Sequence, residues 1–198
     1  MLTVAIQAGG ESRRMGQDKA LLPFLGQPLI VRVIERLKLL ADEILVTTNH
    51  PQAYQFLGLP LYPDQQPGRG ALGGLYTALN AASHPLVAVV ACDMPFVSSS
   101  LLSVMRDVLL ATQADIALPM TGEGSEPFHA VYRRLTCLPL VQQALQSGQW
   151  RVDSWFDQVQ LYPIMPDEIH RYDPDGLCFW NVNTPEELKA AQQLAERL

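Results

Sequence analysis

A chain of 198 residues, of which 48% are hydrophobic, is long enough to bury one sizeable core. The formal net charge of −6 disfavours a non-specific nucleic-acid surface, and no apolar run approaches the ~20 residues that span a bilayer. The N-terminus shows neither the basic nor the apolar region of a secretory signal. The composition therefore predicts one cytoplasmic domain over residues 1–198, with no nucleic-acid and no membrane partner.

The cysteines Cys92, Cys137 and Cys178 are an odd number, lie far apart and form no Cys-x-x-Cys pair. We expect reduced, mostly buried thiols. The four histidines show no ligand-like spacing to these cysteines, which disfavours a structural zinc site.

Strand-like and helix-like segments alternate along the chain, which predicts an α/β fold with a mainly parallel sheet. The run Leu86–Ala91 is continuously apolar, as expected for a central strand covered on both faces. Thr184 to Glu187 form a capping box that begins the last helix. The predicted strands are 3–7, 43–48, 59–62, 86–91, 114–118 and 128–132, and the predicted helices are 28–37 with Pro28 as its first residue, 51–57, 71–82, 98–110, 135–146 and one from 185 onward.

The most informative motif directly follows the first predicted strand. Residues 8–19 read Ala-Gly-Gly-Glu-Ser-Arg-Arg-Met-Gly-Gln-Asp-Lys. Glycines let the main chain approach a ligand closely, and Arg13, Arg14 and Lys19 concentrate positive charge in an acidic chain. The spacing matches neither the P-loop nor the dinucleotide fingerprint. The alternative is a basic surface turn, but this pattern favours a loop that binds a polyphosphate.

Asp93 follows the most apolar predicted strand, where open α/β sheets bind their ligands. A carboxylate in this position can hold Mg²⁺, which neutralises charge on phosphate oxygens. The alternative is a turn or helix-capping aspartate before Pro95. The phosphate-binding loop on the first strand of the same predicted sheet favours the metal interpretation.

The motif Ala8-Gly9-Gly10-x-Ser12-x-Arg14-Met15-Gly16-x-Asp18-Lys19 resembles the signature of nucleotidyltransferases, and most of all that of the molybdenum cofactor guanylyltransferases. The resemblance runs from Ile6 to Leu188 and includes Cys92-Asp93-Met94-Pro95 and Asn181-Val182-Asn183-Thr184-Pro185. It implies a three-layer, Rossmann-like (GT-A-like) domain with a mostly parallel sheet. It also implies the transfer of GMP from GTP to the terminal phosphate of molybdopterin, with Mg²⁺ as cofactor and pyrophosphate as the second product.

The same resemblance implies roles for individual residues. Lys19, Arg14 and Asp93 would be catalytic, with Asp93 as the metal ligand. Two adjacent arginines cannot both point at one ligand, and the motif favours Arg14 over Arg13. Asp64 would read guanine, because a carboxylate can accept both N1–H and N2–H₂, although a turn aspartate after Pro63 is the alternative. The implied nucleotide-binding set is Gln7, Ala8, Gly9, Gly10, Arg13, Lys19, Asp64 and Asp93.

Further candidates lie around this set. Thr47 and Asn49 could line the base pocket. The implied acceptor side comprises His129, Asn181 and Asn183, but a lone histidine on a strand is more often packed in the core. Trp150, Arg151 and Trp155 are candidates for an acceptor pocket, and core packing explains the tryptophans equally well.

Three other functions compete with this interpretation. A cytidylyltransferase for the same cofactor tends to have Ala-Ala-Gly where this chain has Ala8-Gly9-Gly10, although Gln7 replaces the leucine usual in the family. A sugar- or polyol-phosphate nucleotidyltransferase would be expected to have a longer C-terminal part. A nucleotide-binding cofactor carrier is disfavoured by intact Arg14, Lys19 and Asp93. The small-molecule substrates would be GTP and molybdopterin, and the instability of the latter favours a protein partner that delivers it or matures molybdoenzymes.

Overall fold

The computed structural model describes residues 1–8 and 18–198. Three predicted nucleotide-binding residues, Gly9, Gly10 and Arg13, and the predicted catalytic residue Arg14 lie outside the described residues.

The described chain alternates between strands and helices, as the sequence predicts. The strands are β1 (Leu2–Gln7), β2 (Pro23–Phe24), β3 (Gln27–Pro28), β4 (Glu43–Thr47), β5 (Leu61–Tyr62), β6 (Leu86–Ala91), β7 (Ile116–Thr121), β8 (Gly124–Ser125), β9 (His129–Arg133) and β10 (Leu161–Ile164). The α-helices are α1 (Leu29–Leu37), α2 (Gly70–Ala81), α3 (Ser99–Ala111), α4 (Arg134–Gln146), α5 (Pro166–Tyr172) and α6 (Pro185–Ala195), and short 3₁₀ helices span Lys19–Leu21, Pro51–Leu57 and Phe156–Gln158.

The central sheet has the order β10-β7-β9-β6-β1-β4-β5, with β8 paired to β7. Four of its pairs are parallel, namely β10 with β7, β6 with β1, β1 with β4 and β4 with β5. Strand β9 runs antiparallel to both β6 and β7. The carboxyl ends of β1, β4, β5 and β6 therefore meet the amino end of β9 at one edge of the sheet.

Helices cover both faces of this sheet. Alternate residues of β1 serve the two faces: Val4 and Ile6 pack with α1 and α3, whereas Ala5 packs with α2 and α4. Strand β6 alternates in the same way and is buried from Leu86 to Val90. The three-layer α/β architecture with a mostly parallel sheet is thus confirmed. No helix in the described part of the chain is long and apolar enough to span a membrane.

The structure corrects several boundaries. Pro28 is the residue before α1 rather than its first residue, because it pairs with Pro23 in a small hairpin. The third predicted strand is reduced to Leu61–Tyr62. Strand β10 was not predicted, since it is short and contains Pro163. The proline is tolerated because β10 is an outermost strand of the sheet.

Candidate active site

A cleft of about 220 Å³ lies at the sheet edge where β1, β4 and β6 end. Gln7, Thr47 and Asp93 line it from these strand ends, and Ala71 and Gly74 line it from α2. This is the edge at which open parallel sheets present side chains to ligands.

Lys19 connects three distant parts of the chain within this cleft. Its Nζ donates to Asn183 Oδ1 at 2.6 Å and lies 3.4 Å from Asp93 Oδ2. Asp18 holds the short helix that carries Lys19, because its Oδ1 accepts the Ala20 N–H at 3.1 Å and its Oδ2 accepts the Tyr54 hydroxyl at 2.5 Å. Asp18 thus fixes the position of Lys19 by capping the short helix that Lys19 begins.

Asp93 is a largely buried carboxylate with one cationic partner among the described residues. Burial raises its pKa, and the charge of Lys19 lowers it without cancelling that effect. The Val182 N–H donates to the Asp93 carbonyl at 2.9 Å, so the C-terminal segment holds this residue in place. A desolvated carboxylate is stabilised by a further cation.

The oxygen of Asp93 suits Mg²⁺, a hard ion that takes one or two carboxylates and completes its shell with water and phosphate. In residues 1–8 and 18–198, no group of three or more histidine, cysteine, aspartate and glutamate residues could hold a metal by itself. The donor set thus fits an ion that arrives with a polyphosphate rather than a closed protein site.

Asp64, which lines the cleft, forms a reciprocal hydrogen-bonded pair with Asn49. Asn49 Nδ2 donates to Asp64 Oδ2 at 2.9 Å, and the Asp64 N–H donates to Asn49 Oδ1 at 3.1 Å. Asn49 therefore fixes one carboxylate oxygen of Asp64. The predicted base-pocket residues Asn49 and Asp64 are brought together, and Thr47 lies beside them on β4.

Gln7 and Gly74, which both line the cleft, are in close contact with each other. A Cβ added at Gly74 would lie 2.9 Å from Gln7 Oε1, so a larger residue here would displace the glutamine amide. Ala8 is fully buried, and its N–H donates to the Thr47 carbonyl at 2.8 Å.

A second cavity, a groove of about 780 Å³, adjoins the cleft. It lies between the end of β7, α5 and the segment that carries Asn181 and Asn183. Because Asn183 lines the groove and also accepts from Lys19, the two cavities meet at the Lys19–Asn183 contact. Two predicted acceptor-side residues, Asn181 and Asn183, are thus on the groove wall.

The third predicted acceptor-side residue, His129, is not on this wall. Its ring is fully buried and packs edge-on against Phe179, with 5.1 Å between the ring centroids. The structure corrects its assignment as an acceptor contact and agrees with the alternative of core packing.

The two tryptophans differ in their exposure to solvent. Trp155 is fully buried, whereas Trp150 is 60% exposed and lies under the guanidinium of Arg69, 5.5 Å from the ring centroid. Arg151 pairs with Asp153 at the surface. Neither tryptophan lines the cleft or the groove.

The three cysteines are buried and unpaired. Burial raises the pKa of each thiol, to about 12 for Cys137, so all three stay protonated at neutral pH. The prediction of reduced, buried thiols agrees with the structure.

Sequence reasoning missed the contacts that assemble the site. The Lys19–Asn183 and Tyr54–Asp18 hydrogen bonds join residues 164 and 36 positions apart. No local pattern signals either pairing.

Comparison with known proteins adds a family assignment. A family model described as a MobA-like NTP transferase domain matches residues 4–160. The chain belongs to this family. Within MobA-like NTP transferases, this chain is 32% identical over 194 residues to the molybdenum cofactor guanylyltransferase of Desulfosudis oleivorans, covering 96% of this chain and 94% of that protein. It is 34% identical over 194 residues to a probable molybdenum cofactor guanylyltransferase of Pelotomaculum thermopropionicum, covering 98% and 93% of the two chains.

The fold has a crystallographic counterpart as well. Molybdopterin-guanine dinucleotide biosynthesis protein A from Archaeoglobus fulgidus superposes with a TM-score of 0.84, at 23% identity, over 99% of this chain and 100% of that chain. The family match and the curated relatives, rather than this superposition, show that the chain is an enzyme of the nucleotidyltransferase class. Members of this class act on small-molecule substrates and generally use a divalent metal.

Proposed function

We propose that this MobA-like NTP transferase is a molybdenum cofactor guanylyltransferase. It transfers GMP from GTP to the terminal phosphate of molybdopterin, forms the guanine dinucleotide and releases pyrophosphate. The observation that carries the proposal is the Lys19–Asp93–Asn183 cluster at the junction of two cavities. Two substrates that react with each other need two adjoining sites with the reactive groups at the boundary.

In this reaction an oxygen of the acceptor phosphate attacks the α-phosphorus of GTP. The bond from that phosphorus to the bridging oxygen breaks, and its electron pair leaves with pyrophosphate. The acceptor phosphate is already an anion near neutral pH, so no strong general base is needed. Catalysis then depends on positioning and on stabilising negative charge.

The residues around the phosphates would have separate roles in this reaction. Lys19 neutralises charge on the phosphates from its fixed position beside Asp93. Arg14, with Arg13 as the weaker candidate, and the backbone of Gly9 and Gly10 would bind the polyphosphate. Asp93 would hold Mg²⁺, which when bound neutralises phosphate charge and orients the α-phosphate.

Asp64 supports guanine as the base. Its carboxylate can accept from both N1–H and N2–H₂ of guanine, and cytosine does not offer that pair of donors. Asn49 holds one of its oxygens by a 2.9 Å hydrogen bond, which fixes the orientation of the carboxylate.

The groove would take the acceptor. Asn181 and Asn183 supply amide groups on its wall, and Phe179 and Trp180 supply aromatic surface for a fused-ring pterin. A protein that delivers the cofactor, or that receives the product, would be the expected partner.

Equilibrium binding of GTP and CTP, each with and without Mg²⁺, tests the proposal. We expect Mg²⁺-dependent binding with a preference for GTP. A preference for CTP would assign the chain to the cytidylyl branch, and binding of neither nucleotide in the presence of acceptor would refute the function.

Asp93→Ala tests the metal assignment separately. We expect turnover to fall by roughly 10²-fold or more while the fold is kept, because a carboxylate at the reacting phosphates is lost. Asp107→Ala is the matched control, since Asp107 is an exposed aspartate on α3 paired with Arg106. A fully active Asp93→Ala protein would refute the role of Asp93.

A further inference from the structure

The last side chain of β1 carries a hydrogen-bond donor without an acceptor. Gln7 lines the nucleotide cleft, and its Nε2 is buried with no hydrogen-bond partner among the described residues. A buried amide donor left unpaired is unfavourable, and such a group in a cleft is a reason to look for a ligand that satisfies it.

The position of this amide is held by α2. A Cβ at Gly74 would lie 2.9 Å from Oε1, 3.2 Å from Cδ and 3.3 Å from Nε2 of Gln7, so the helix lies directly against the whole amide group. The terminal torsion of glutamine is broad, and a half-turn of the amide exchanges its two polar atoms. The contact with Gly74 therefore fixes where the amide lies, and one rotation decides which atom faces the cleft.

The other side-chain amide and the ammonium group near Gln7 and Asp64 already have partners. Asn49 Nδ2 donates to Asp64 Oδ2, and Lys19 is engaged with Asp93 and Asn183. Among the described amide and ammonium donors at the cleft, the donor of Gln7 is thus the one that is buried without a partner.

We propose that the Gln7 amide donates to O6 of guanine and is a specificity-determining residue of this chain; this inference rests on the guanylyltransferase function proposed above. Guanine sets one acceptor, O6, beside two donors, N1–H and N2–H₂. The Gln7 amide matches the acceptor and the Asp64 carboxylate matches the donors, so the two residues together cover the whole pairing edge of the base.

Binding of GTP, 6-thio-GTP and ITP to the wild-type protein and to Gln7→Leu tests this role. Sulfur at position 6 is a weak acceptor, so the ratio of the Kd values for 6-thio-GTP and GTP measures the hydrogen bond to O6. ITP keeps O6 and lacks the 2-amino group, so its ratio to GTP measures the contact to Asp64. Leucine keeps the approximate size of glutamine and removes the amide.

We expect the wild-type protein to favour GTP over 6-thio-GTP by about five- to tenfold, the effect of one neutral hydrogen bond. Gln7→Leu should weaken GTP by about the same factor and bring the 6-thio-GTP ratio close to one, with the ITP ratio unchanged. Asp64→Asn should bring the ITP ratio close to one and leave the 6-thio-GTP ratio unchanged. A Gln7→Leu protein that keeps the wild-type 6-thio-GTP ratio would overturn the assignment.

Gly74→Ala is a second variant that leaves Gln7 in place. The added methyl group meets the movable end of the Gln7 side chain, so it should displace the amide and lower the 6-thio-GTP ratio as Gln7→Leu does. If either variant that folds retains the wild-type ratio, the inference is wrong. A wild-type protein that does not prefer GTP over CTP would instead refute the underlying function, so the two failures are distinguishable.

Discussion

Among single residues, His129 shows how strongly burial limits chemistry. It begins β9 at the same edge of the sheet as Asp93, but its ring is fully buried against Phe179. Burial lowers the pKa of His129 to about 4, against the raising influence of the Cys178 and Ser98 backbone and of the Asp173 charge. The imidazole is therefore neutral near pH 7 and acts as a packing residue.

This lowered pKa predicts a loss of stability in mild acid. The unfolded chain binds a proton at this histidine near pH 6.5, whereas the folded chain does so only near pH 4. The contribution of neutral His129 to the free energy of unfolding is complete above pH 6.5. It is lost as the pH falls toward 4, by about 3 kcal/mol in total. Urea unfolding at pH 7, 5.5 and 4.5 should show this loss in the wild type and a smaller one in His129→Phe. The exposed His170→Asn is the control, and equal pH dependence in all three proteins would contradict the prediction.

At the level of elements, the start of α6 supports the site as well as the helix. Thr184 Oγ1 accepts the Glu187 N–H at 3.1 Å, which caps the helix. Glu187 Oε2 in turn accepts the N–H groups of Thr184 at 3.0 Å and of Asn183 at 2.6 Å. The capping box thereby fixes the backbone of the residue whose side chain holds Lys19.

Two variants separate these functions of the cap. Thr184→Ala removes one capping bond and should cost about 1 kcal/mol, or about 2–4 °C in Tm, with little change in rate. Glu187→Ala also releases the Asn183 backbone and should in addition lower the rate of GMP transfer about tenfold, the effect of a lost positioning contact. Thermal unfolding and initial rates measure the two effects. Equal rates for the two variants would show that the cap does not position Asn183.

For the molecule as a whole, the C-terminal part is tied into the sheet. Residues 161–198 lie beyond the matched family region, yet β10 pairs with β7, Cys178 lies in the core and the Val182 N–H donates to the Asp93 carbonyl. We propose that residues 1–198 form one domain that unfolds as a single cooperative unit.

Ligand binding should stabilise that unit. At about 100 times its Kd, GTP with Mg²⁺ adds about 2.7 kcal/mol, which raises Tm by about 5–10 °C in a domain of this size. Differential scanning calorimetry should show one transition that moves upward as a whole. Asp93→Ala should fold but lose the Mg²⁺-dependent part of the shift, and Asp107→Ala should keep it. Two transitions, of which GTP moves only one, would contradict a single unit.

The sequence by itself determined the order of the elements and the positions of most of them. The apolar run of β6 and the capping box at Thr184 are local signals, and each led to the correct type of element. In the sequence, the motif of residues 8–19 follows β1 and Asp93 follows β6, and these positions predicted phosphate-transfer chemistry. The weak signals failed: β10 contains a proline, and β5 keeps only two residues.

Only the tertiary structure decided which side chains meet. Lys19 reaches Asn183 across 164 residues, Asn49 pairs with Asp64, and Gly74 packs on Gln7, because strand order and helix packing bring them together. The sequence also left His129 between two interpretations, and burial behind the sheet edge settled it. A sequence pattern records the local environment of a residue, whereas contacts between distant segments depend on how the whole sheet is ordered.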